Sequence, residues 1–145
     1  MPFSVTQAAA ILNFMFSKSG TALTPPSSIY MALSSNDPEA DGGTFNELSG
    51  NNYARVLISQ KNETYPDFIP ATNTRTIQNT KQIVFNKATA DWATARGFGL
   101  FTVETVGSGT PFYYAKLDNE VTVEAGAVAL FDPNTLVISF ATTDV

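Results

Sequence analysis

After Pro26 the chain is a succession of short runs of β-branched and aromatic residues, separated by loops rich in Gly, Asn, Asp and Pro. Such runs predict β-strands, and no amphipathic crossover helix separates them, so we expect antiparallel pairing rather than a parallel sheet. The predicted strands are residues 29–33, 55–59, 82–85, 98–103, 111–117, 120–124, 127–131 and 136–140. This pattern predicts an all-β fold, an antiparallel β-sandwich that is jelly-roll-like, with one N-terminal α-helix.

Side-chain alternation within these strands predicts which residues form the core. Val121 and Val123, for example, point to one face of their strand and Thr122 to the other. The turn-forming sequence Asp132-Pro133-Asn134 predicts that the last two strands form a hairpin. The residues expected to be buried are Leu57, Ile83, Phe85, Phe98, Leu100, Val123, Leu130 and Ile138.

The N-terminal segment has the pattern of a helix over residues 4–18. Ser4 followed by Gln7 fits a capping box, and Gly20 stands where a helix stop is expected. Apolar residues recur at spacings of three and four. They are Ala8, Ile11, Leu12, Met15 and Phe16. Such a stripe more often packs on a core, but because the helix is terminal it is also a candidate for docking onto a partner.

The length of 145 residues fits one domain, with the helix at about 4–18 and the sandwich at about 27–141. Two segments, 36–52 and 60–80, are too long to be simple connections. The second is expected to carry an irregular excursion or an edge strand. Both are candidates for reaching neighbouring chains or a larger assembly.

Composition excludes several classes of function. The chain has no Cys and no His, which removes zinc sites, disulfides, cysteine nucleophiles and the Ser-His-Asp triad. A net charge of −5 with only 8 scattered Lys and Arg argues against binding nucleic acid or an anionic membrane. No signal peptide or membrane span is visible, so we expect a soluble protein that starts at Met1. A charged fraction of only 14% suggests that part of the surface is covered by something other than water.

Few residues suggest a chemical site. Asp37, Glu39 and Asp41 alternate before a glycine, like the start of a calcium loop. The later ligand positions do not fit, and a solvated acidic loop is the favoured interpretation. The segment Gly107-Ser108-Gly109 lacks the lysine and helix of a phosphate-binding loop, which favours a hairpin turn. We predict no catalytic residues and no cofactor.

Aromatic residues offer one further candidate. Trp92, Tyr113 and Tyr114 could stack on a sugar or a base. Adjacent residues on one strand face opposite sides, however, so the two tyrosines cannot form one platform. Trp92 lies among small residues, and anchoring a loop over the core is the favoured interpretation.

Three blocks of sequence, in this order along the chain, carry a family resemblance. They are TPPSSIYMALSSNDP (24–38) with GNNYARV (50–56), IVFNKATADW (83–92) with GFGLF (97–101), and YYAKL (113–117) with VTVEAG (121–126). Together they resemble a family of small structural proteins of tailed bacteriophages. Members are commonly labelled tail fibre proteins, and in some virions they decorate the head.

The resemblance implies an all-β virion protein without enzymatic activity. The chain is short and has no shaft-like repeat, and its acidic charge suits a position outside the DNA-filled interior. We therefore expect a capsid decoration (cement) protein on the outer head surface that stabilises the shell. It would assemble in the host cytoplasm as a homotrimer and contact the major capsid protein or other virion subunits. The alternatives are a tail fibre or tail-associated protein and a receptor-binding (carbohydrate-binding) protein.

Overall fold

The computed structural model describes residues 4–16, 26–60, 68–69 and 76–139. Within these ranges the chain forms one helix and nine strands. In chain order they are α1 (Val5–Phe16), β1 (Ser28–Ser34), β2 (Val56–Gln60), β3 (Phe68–Ile69), β4 (Thr76–Asn79), β5 (Ile83–Val84), β6 (Ala95–Phe101), β7 (Tyr113–Val121), β8 (Leu130–Phe131) and β9 (Val137–Ser139).

The strands form a four-stranded sheet in the order β2-β1-β6-β7, a three-stranded sheet β3-β4-β9 and a two-stranded sheet β5-β8. Every strand pair among the described residues is antiparallel. One core cluster joins side chains of the four-stranded sheet to side chains on and around the smaller sheets, as in a two-layer sandwich. The predicted all-β fold with an N-terminal helix is confirmed. Its jelly-roll connectivity stays a prediction.

The inner face of the four-stranded sheet forms one wall of the core. Met31 lies opposite Leu100, and Leu33 lies opposite Phe98, so alternate residues of β1 and β6 point inward together. An aromatic cluster lies between the layers, where the rings of Tyr53 and Trp92 meet edge to face at 5.3 Å between centroids. These large rings supply much of the apolar area that stabilises the sandwich.

The outer face of the same sheet is covered by the loop of residues 36–47. Pro38 packs against Gly97, and Phe45 packs against Gly99. A Cβ on Gly97 would overlap the Pro38 ring, and a Cβ on Gly99 would lie 2.7 Å from Phe45 Cε2. Both glycines are therefore required by close approach, and their absent side chains bring the loop onto the sheet. This explains why β1 and β6 are apolar on both faces.

The predicted C-terminal hairpin is wrong. β8 pairs with β5, whereas β9 pairs with β4, so the two strands belong to different sheets. The turn itself is present, with Asn134 at φ 66° and the Thr135 N–H donating to the carbonyl of Asp132. The residues of this segment thus form the predicted turn, but β8 and β9 each pair with a strand that is distant in sequence.

Two predicted strands are shorter or placed differently. Residues 122–124 are not a strand, because the Val123 carbonyl accepts from the Trp92 N–H of a loop instead of from a ladder. The strand predicted at 127–131 is reduced to β8, because Ala129 accepts from Phe85 outside β5. The long segment 60–80 contains β3 and β4, so the predicted edge strand is present there.

Most of the expected core is buried, but two residues are not. Leu57 is 44% exposed and Leu130 is 49% exposed, and Ile138 is only partly buried. In β2 the inward positions are Val56 and Ile58, and in β8 the residue before the strand, Ala129, is buried instead. In both strands, the residues that face the core are shifted by one position from those that we expected.

The helix agrees with its predicted start. The Ser4 Oγ accepts from the Gln7 N–H at 3.2 Å, which is the expected cap. Residues 17–20, including the predicted stop at Gly20, lie outside the described residues. Leu12, Met15 and Phe16 are exposed rather than packed on the core. Of the two interpretations of this stripe, exposure favours docking.

Candidate functional site

A polar cluster surrounds a buried ion pair between Arg55 and Glu47. Their side chains are 0% and 7% exposed. Arg55 donates from Nε and Nη2 to the two Glu47 carboxylate oxygens, each at 2.7 Å, in the bidentate geometry that arginine favours. The guanidinium carbon lies 3.6 Å from the centre of the Phe101 ring, so the cation also stacks on an aromatic face.

The same cluster holds the connection between β6 and β7. Arg55 donates to the carbonyls of Val103 at 2.8 Å and Ser108 at 2.9 Å. The Gly107 N–H donates to Glu47 Oε2 at 2.7 Å. Glu47 and Arg55 thus join three separate chain segments. Because their polar atoms are occupied by protein partners, the arrangement acts as a structural clamp.

Tyr53 extends the clamp into the core. Its hydroxyl accepts from the Leu33 N–H at 2.8 Å and lies 3.5 Å from Glu47 Oε1. Burial disfavours the phenolate, so it raises the pKa of Tyr53 well above its ordinary value. A tyrosine kept protonated and hydrogen-bonded in this way serves packing rather than acid–base chemistry at neutral pH.

The segment Gly107-Ser108-Gly109 forms part of the β6–β7 connection, as a turn. The Gly107 N–H donates to the Glu47 carboxylate, and the Ser108 carbonyl accepts from the Arg55 guanidinium. An open cleft of about 390 Å³ lies beside it, lined by glycines and by the clamp. The backbone donor that a phosphate would need is already used, which favours the hairpin-turn interpretation.

The three calcium candidates bind different partners within the protein. Asp37 accepts from the N–H groups of Glu39 and Ala40. Glu39 accepts from the Lys116 N–H of β7 at 3.2 Å, and Asp41 from the Asn36 side chain at 2.6 Å. Among the described residues, no group of three His, Cys, Asp or Glu side chains could hold a metal ion. The three carboxylates order the loop that covers the outer face of the four-stranded sheet.

The aromatic candidates lie in or beside the core. Trp92 is buried, and its Nε1–H donates to the Asn51 carbonyl at 3.0 Å, which anchors the loop as the sequence favoured. Tyr113 is buried on the inner face, 6.1 Å from the Phe98 ring, whereas Tyr114 is half-buried. The structure does not bring the three rings together as a platform for a sugar.

A second open cleft of about 400 Å³ lies between β7 and the smaller sheets. It reaches core residues Met31 and Phe98. One wall is a wide bulge in β7, where Lys116 pairs with Gly97 but Val121 pairs with Ala95. The sequence predicted two strands here, and the bulge that joins them into one could not be read from the alternation.

Exposed apolar side chains form two surfaces that the sequence did not fully identify. On the sheet, Val84 and Leu130 lie directly opposite each other, and both are about half exposed. On the helix, the second half exposes Leu12, Met15 and Phe16. Surfaces of this kind mark contacts with other macromolecules. They are the best candidates for functional surfaces in the described residues.

Comparison of the sequence with models of known protein families found a match. The family model described as podophage GP4 fiber I protein gp80 matches residues 2–139. The chain belongs to this podophage fiber I protein family. The match runs through the helix, the clamp and nearly all of the sandwich, so it is not confined to one motif. No curated protein matches the chain.

Membership of the fiber I family makes this chain a bacteriophage structural protein that is related to tail fibres and associated with the virion. The resemblance to small structural proteins of tailed phages is therefore confirmed. Among the described residues, no helix has the length and apolar character needed to cross a bilayer.

Proposed function

We propose that this chain is a non-enzymatic structural subunit of an external appendage of a podophage virion. The observation that carries the proposal is the match of a fiber I family model to residues 2–139, which includes the exposed helix as well as the sandwich. The subunit contributes stable shape and contact surface to the particle. It performs no reaction of its own.

The geometry supports a rigid building block. Both faces of β6 are covered, one by the second layer and the other by the loop of residues 36–47. Within the described residues, no buried side-chain nitrogen or oxygen lacks a hydrogen-bond partner. A domain with a complete core and satisfied polar groups resists deformation, which is what a load-carrying virion component requires.

Charge and size support an external position. The chain carries a net charge of −5, so contact with packaged DNA would be electrostatically unfavourable. The chain has no shaft-like repeat. We propose that copies of the chain assemble as a homotrimer and contact other virion subunits, with neither nucleic acid nor membrane as a partner.

Decoration of the outer head surface is the second candidate. The same two observations favour it, namely the acidic net charge and the absence of a shaft-like repeat. In that case the major capsid protein would be the partner and the function would be to stabilise the shell. The family name favours the fibre, and the two functions differ in what a particle loses without the chain.

A phage lacking this gene separates the candidates. A fibre subunit predicts particles that keep their DNA on heating but adsorb to host cells at least about tenfold more slowly. A decoration protein predicts normal adsorption and loss of DNA at a lower temperature. Complementation with the wild-type gene is the control. If the protein is absent from purified wild-type particles, the proposed function is wrong.

A further inference from the structure

The helix α1 has an unusual surface for an element in contact with solvent. Its sequence, VTQAAAILNFMF, contains no charged residue. In its second half Leu12, Phe14, Met15 and Phe16 are 57%, 51%, 65% and 77% exposed. A helix that is apolar around most of its circumference is normally buried. This one therefore has a surface that remains to be covered.

The apolar residues are spaced as in a helix-bundle seam. Ala8, Ile11 and Met15 follow the three-four spacing of the a and d positions of a heptad, and Leu12 and Phe16 flank them. Asn13 lies on the opposite side of the helix, because a turn of 3.6 residues places it about 160° from Ile11 and Met15 and about 140° from Ala8. Ala8, Ile11 and Met15, here called the seam, therefore face one side of the helix.

The helix also needs a partner for its own stability. Isolated helices of fewer than about 12–15 residues are marginal in water, and α1 has 12 residues. A backbone hydrogen bond from the Ser4 N–H to the Phe112 carbonyl, at 3.0 Å, ties its start to the sandwich. Every side chain from residue 12 to residue 16 is exposed, so the body of the same chain does not cover the second half.

We propose that the α1 helices of symmetry-related copies pack in parallel against one another along this seam and form the self-association element of the protein. The proposal rests on the homotrimer of the proposed function. In a closed cyclic assembly every copy is related by rotation about one axis, so equivalent helices that lie along that axis run in the same direction. Equivalent residues of the seam then meet at that axis.

Charge identifies a second copy as the occupant. Each copy carries a net charge of −5, so two copies repel each other wherever their acidic surfaces approach. The helix has no charge, and it is where copies can meet without that repulsion. A membrane surface is disfavoured, because interfacial helices of this kind carry Lys and Arg on their polar face.

Single-cysteine variants test the packing directly, because the chain has no cysteine of its own. Met15→Cys places a thiol on the seam, and Asn13→Cys places one on the opposite face as a matched control. After mild oxidation, we expect most of the Met15→Cys protein to run as a disulfide-linked dimer on a non-reducing gel. The Asn13→Cys protein should remain at the monomer position. Equal cross-linking of both, or of neither, would overturn parallel packing along the seam.

A second set of variants tests whether the helix holds the assembly together. We expect the triple variant Leu12→Gln, Met15→Gln, Phe16→Gln to lower the mass from light scattering about threefold, to the 15.6 kDa monomer. The control Leu57→Gln replaces an exposed apolar side chain of β2, away from the helix, and should leave the mass unchanged. Fluorescence of Trp92, the one tryptophan of the chain, reports whether the core of each variant is intact.

The outcomes separate this inference from the proposed function. A wild-type protein that is monomeric at about 100 μM but present in virions overturns the helix interface and leaves the virion role standing. A triple variant that keeps the wild-type mass also overturns the interface. Absence of the wild-type protein from virions overturns the function, whatever the solution mass. High salt should leave the wild-type mass unchanged, because no charges hold the helices together.

Discussion

At the scale of single residues, Arg55 brings together parts of the chain that are far apart in sequence. It bonds Glu47 on one side and the carbonyls of Val103 and Ser108 on the other, and it stacks on Phe101. In the sequence, Arg55 is one residue of the block GNNYARV, and nothing in that block predicts its role. The partners lie 8 to 53 residues away along the chain, and no local pattern carries that information.

Removing one charge of this pair is expected to be costly. We predict that Glu47→Gln lowers the free energy of unfolding by about 3–5 kcal/mol, because it leaves the buried Arg55 guanidinium without its counterion. The matched control is Glu120→Gln, which breaks the exposed pair with Arg96, whose side chains are 61% and 49% exposed. That change should cost about 0–1 kcal/mol. Urea unfolding measures both, and equal costs would contradict the clamp.

Tyr53 predicts a specific dependence of stability on pH. Burial keeps its hydroxyl protonated in the folded state, whereas in the unfolded state it ionises near its ordinary pKa of about 10. The folded chain then binds more protons than the unfolded chain, so stability falls as pH rises above about 10. Between pH 9 and pH 11 the wild type should lose on the order of 1 kcal/mol more than Tyr53→Phe.

The Tyr53→Phe protein should also be less stable at both pH values by about 1–3 kcal/mol, because the buried Leu33 N–H loses its acceptor. This constant offset does not affect the comparison of the two pH values. Denaturant unfolding at each pH gives the required free energies. Identical pH slopes for the two proteins would contradict a buried, protonated Tyr53.

At the scale of elements, the close packing of the 36–47 loop on β6 depends on glycine. A Cβ on Gly99 would lie 2.7 Å from Phe45 Cε2 and 3.1 Å from Phe101 Cε2. We predict that Gly99→Ala costs about 1–3 kcal/mol through overpacking. In a Phe45→Ala background the main obstacle is gone, so the same change should cost markedly less. A double-mutant cycle measures this coupling, and strict additivity would contradict the packing.

Strand phase gives a second prediction at this scale. Phe98 is buried in β6, and truncating it to Ala should cost about 3–5 kcal/mol. Leu57 was expected to be equally buried, but it points outward from β2 and is 44% exposed. Leu57→Ala should therefore change the stability by about 1 kcal/mol or less. A drop in the thermal midpoint as large for Leu57→Ala as for Phe98→Ala would show that the strand phase is wrong.

These elements show what the sequence could and could not predict. The pattern of β-branched and aromatic runs located β1, β2, β6 and β9. It failed for residues 122–124, where buried Val123 packs against a loop and alternation continues without a ladder. It also failed for the hairpin, because a turn signal is local whereas pairing of β8 with β5 is set by the core. The exposed surface of the helix could not be predicted, because an apolar stripe in the sequence does not show whether the rest of the chain covers it.

At the scale of the whole molecule, a low content of charged residues and exposed apolar side chains suit a protein that is associated with a virion. Its polar groups are used internally, in the clamp and in the carboxylates that order the 36–47 loop. Its exposed large apolar side chains include those of the helix and of the Val84–Leu130 pair. The assembly that we propose would stabilise the protein, because it would cover apolar area that a monomer exposes to water.

We propose that this sandwich is an external structural subunit of the particle, and a cryo-electron microscopy reconstruction of the intact virion would show its position. We expect density for the two-layer sandwich outside the DNA-filled shell. The copies should be grouped in threes about a local axis, with the α1 helices side by side at that axis. Sandwich density inside the shell, or external copies that stand singly with their helices apart, would contradict it.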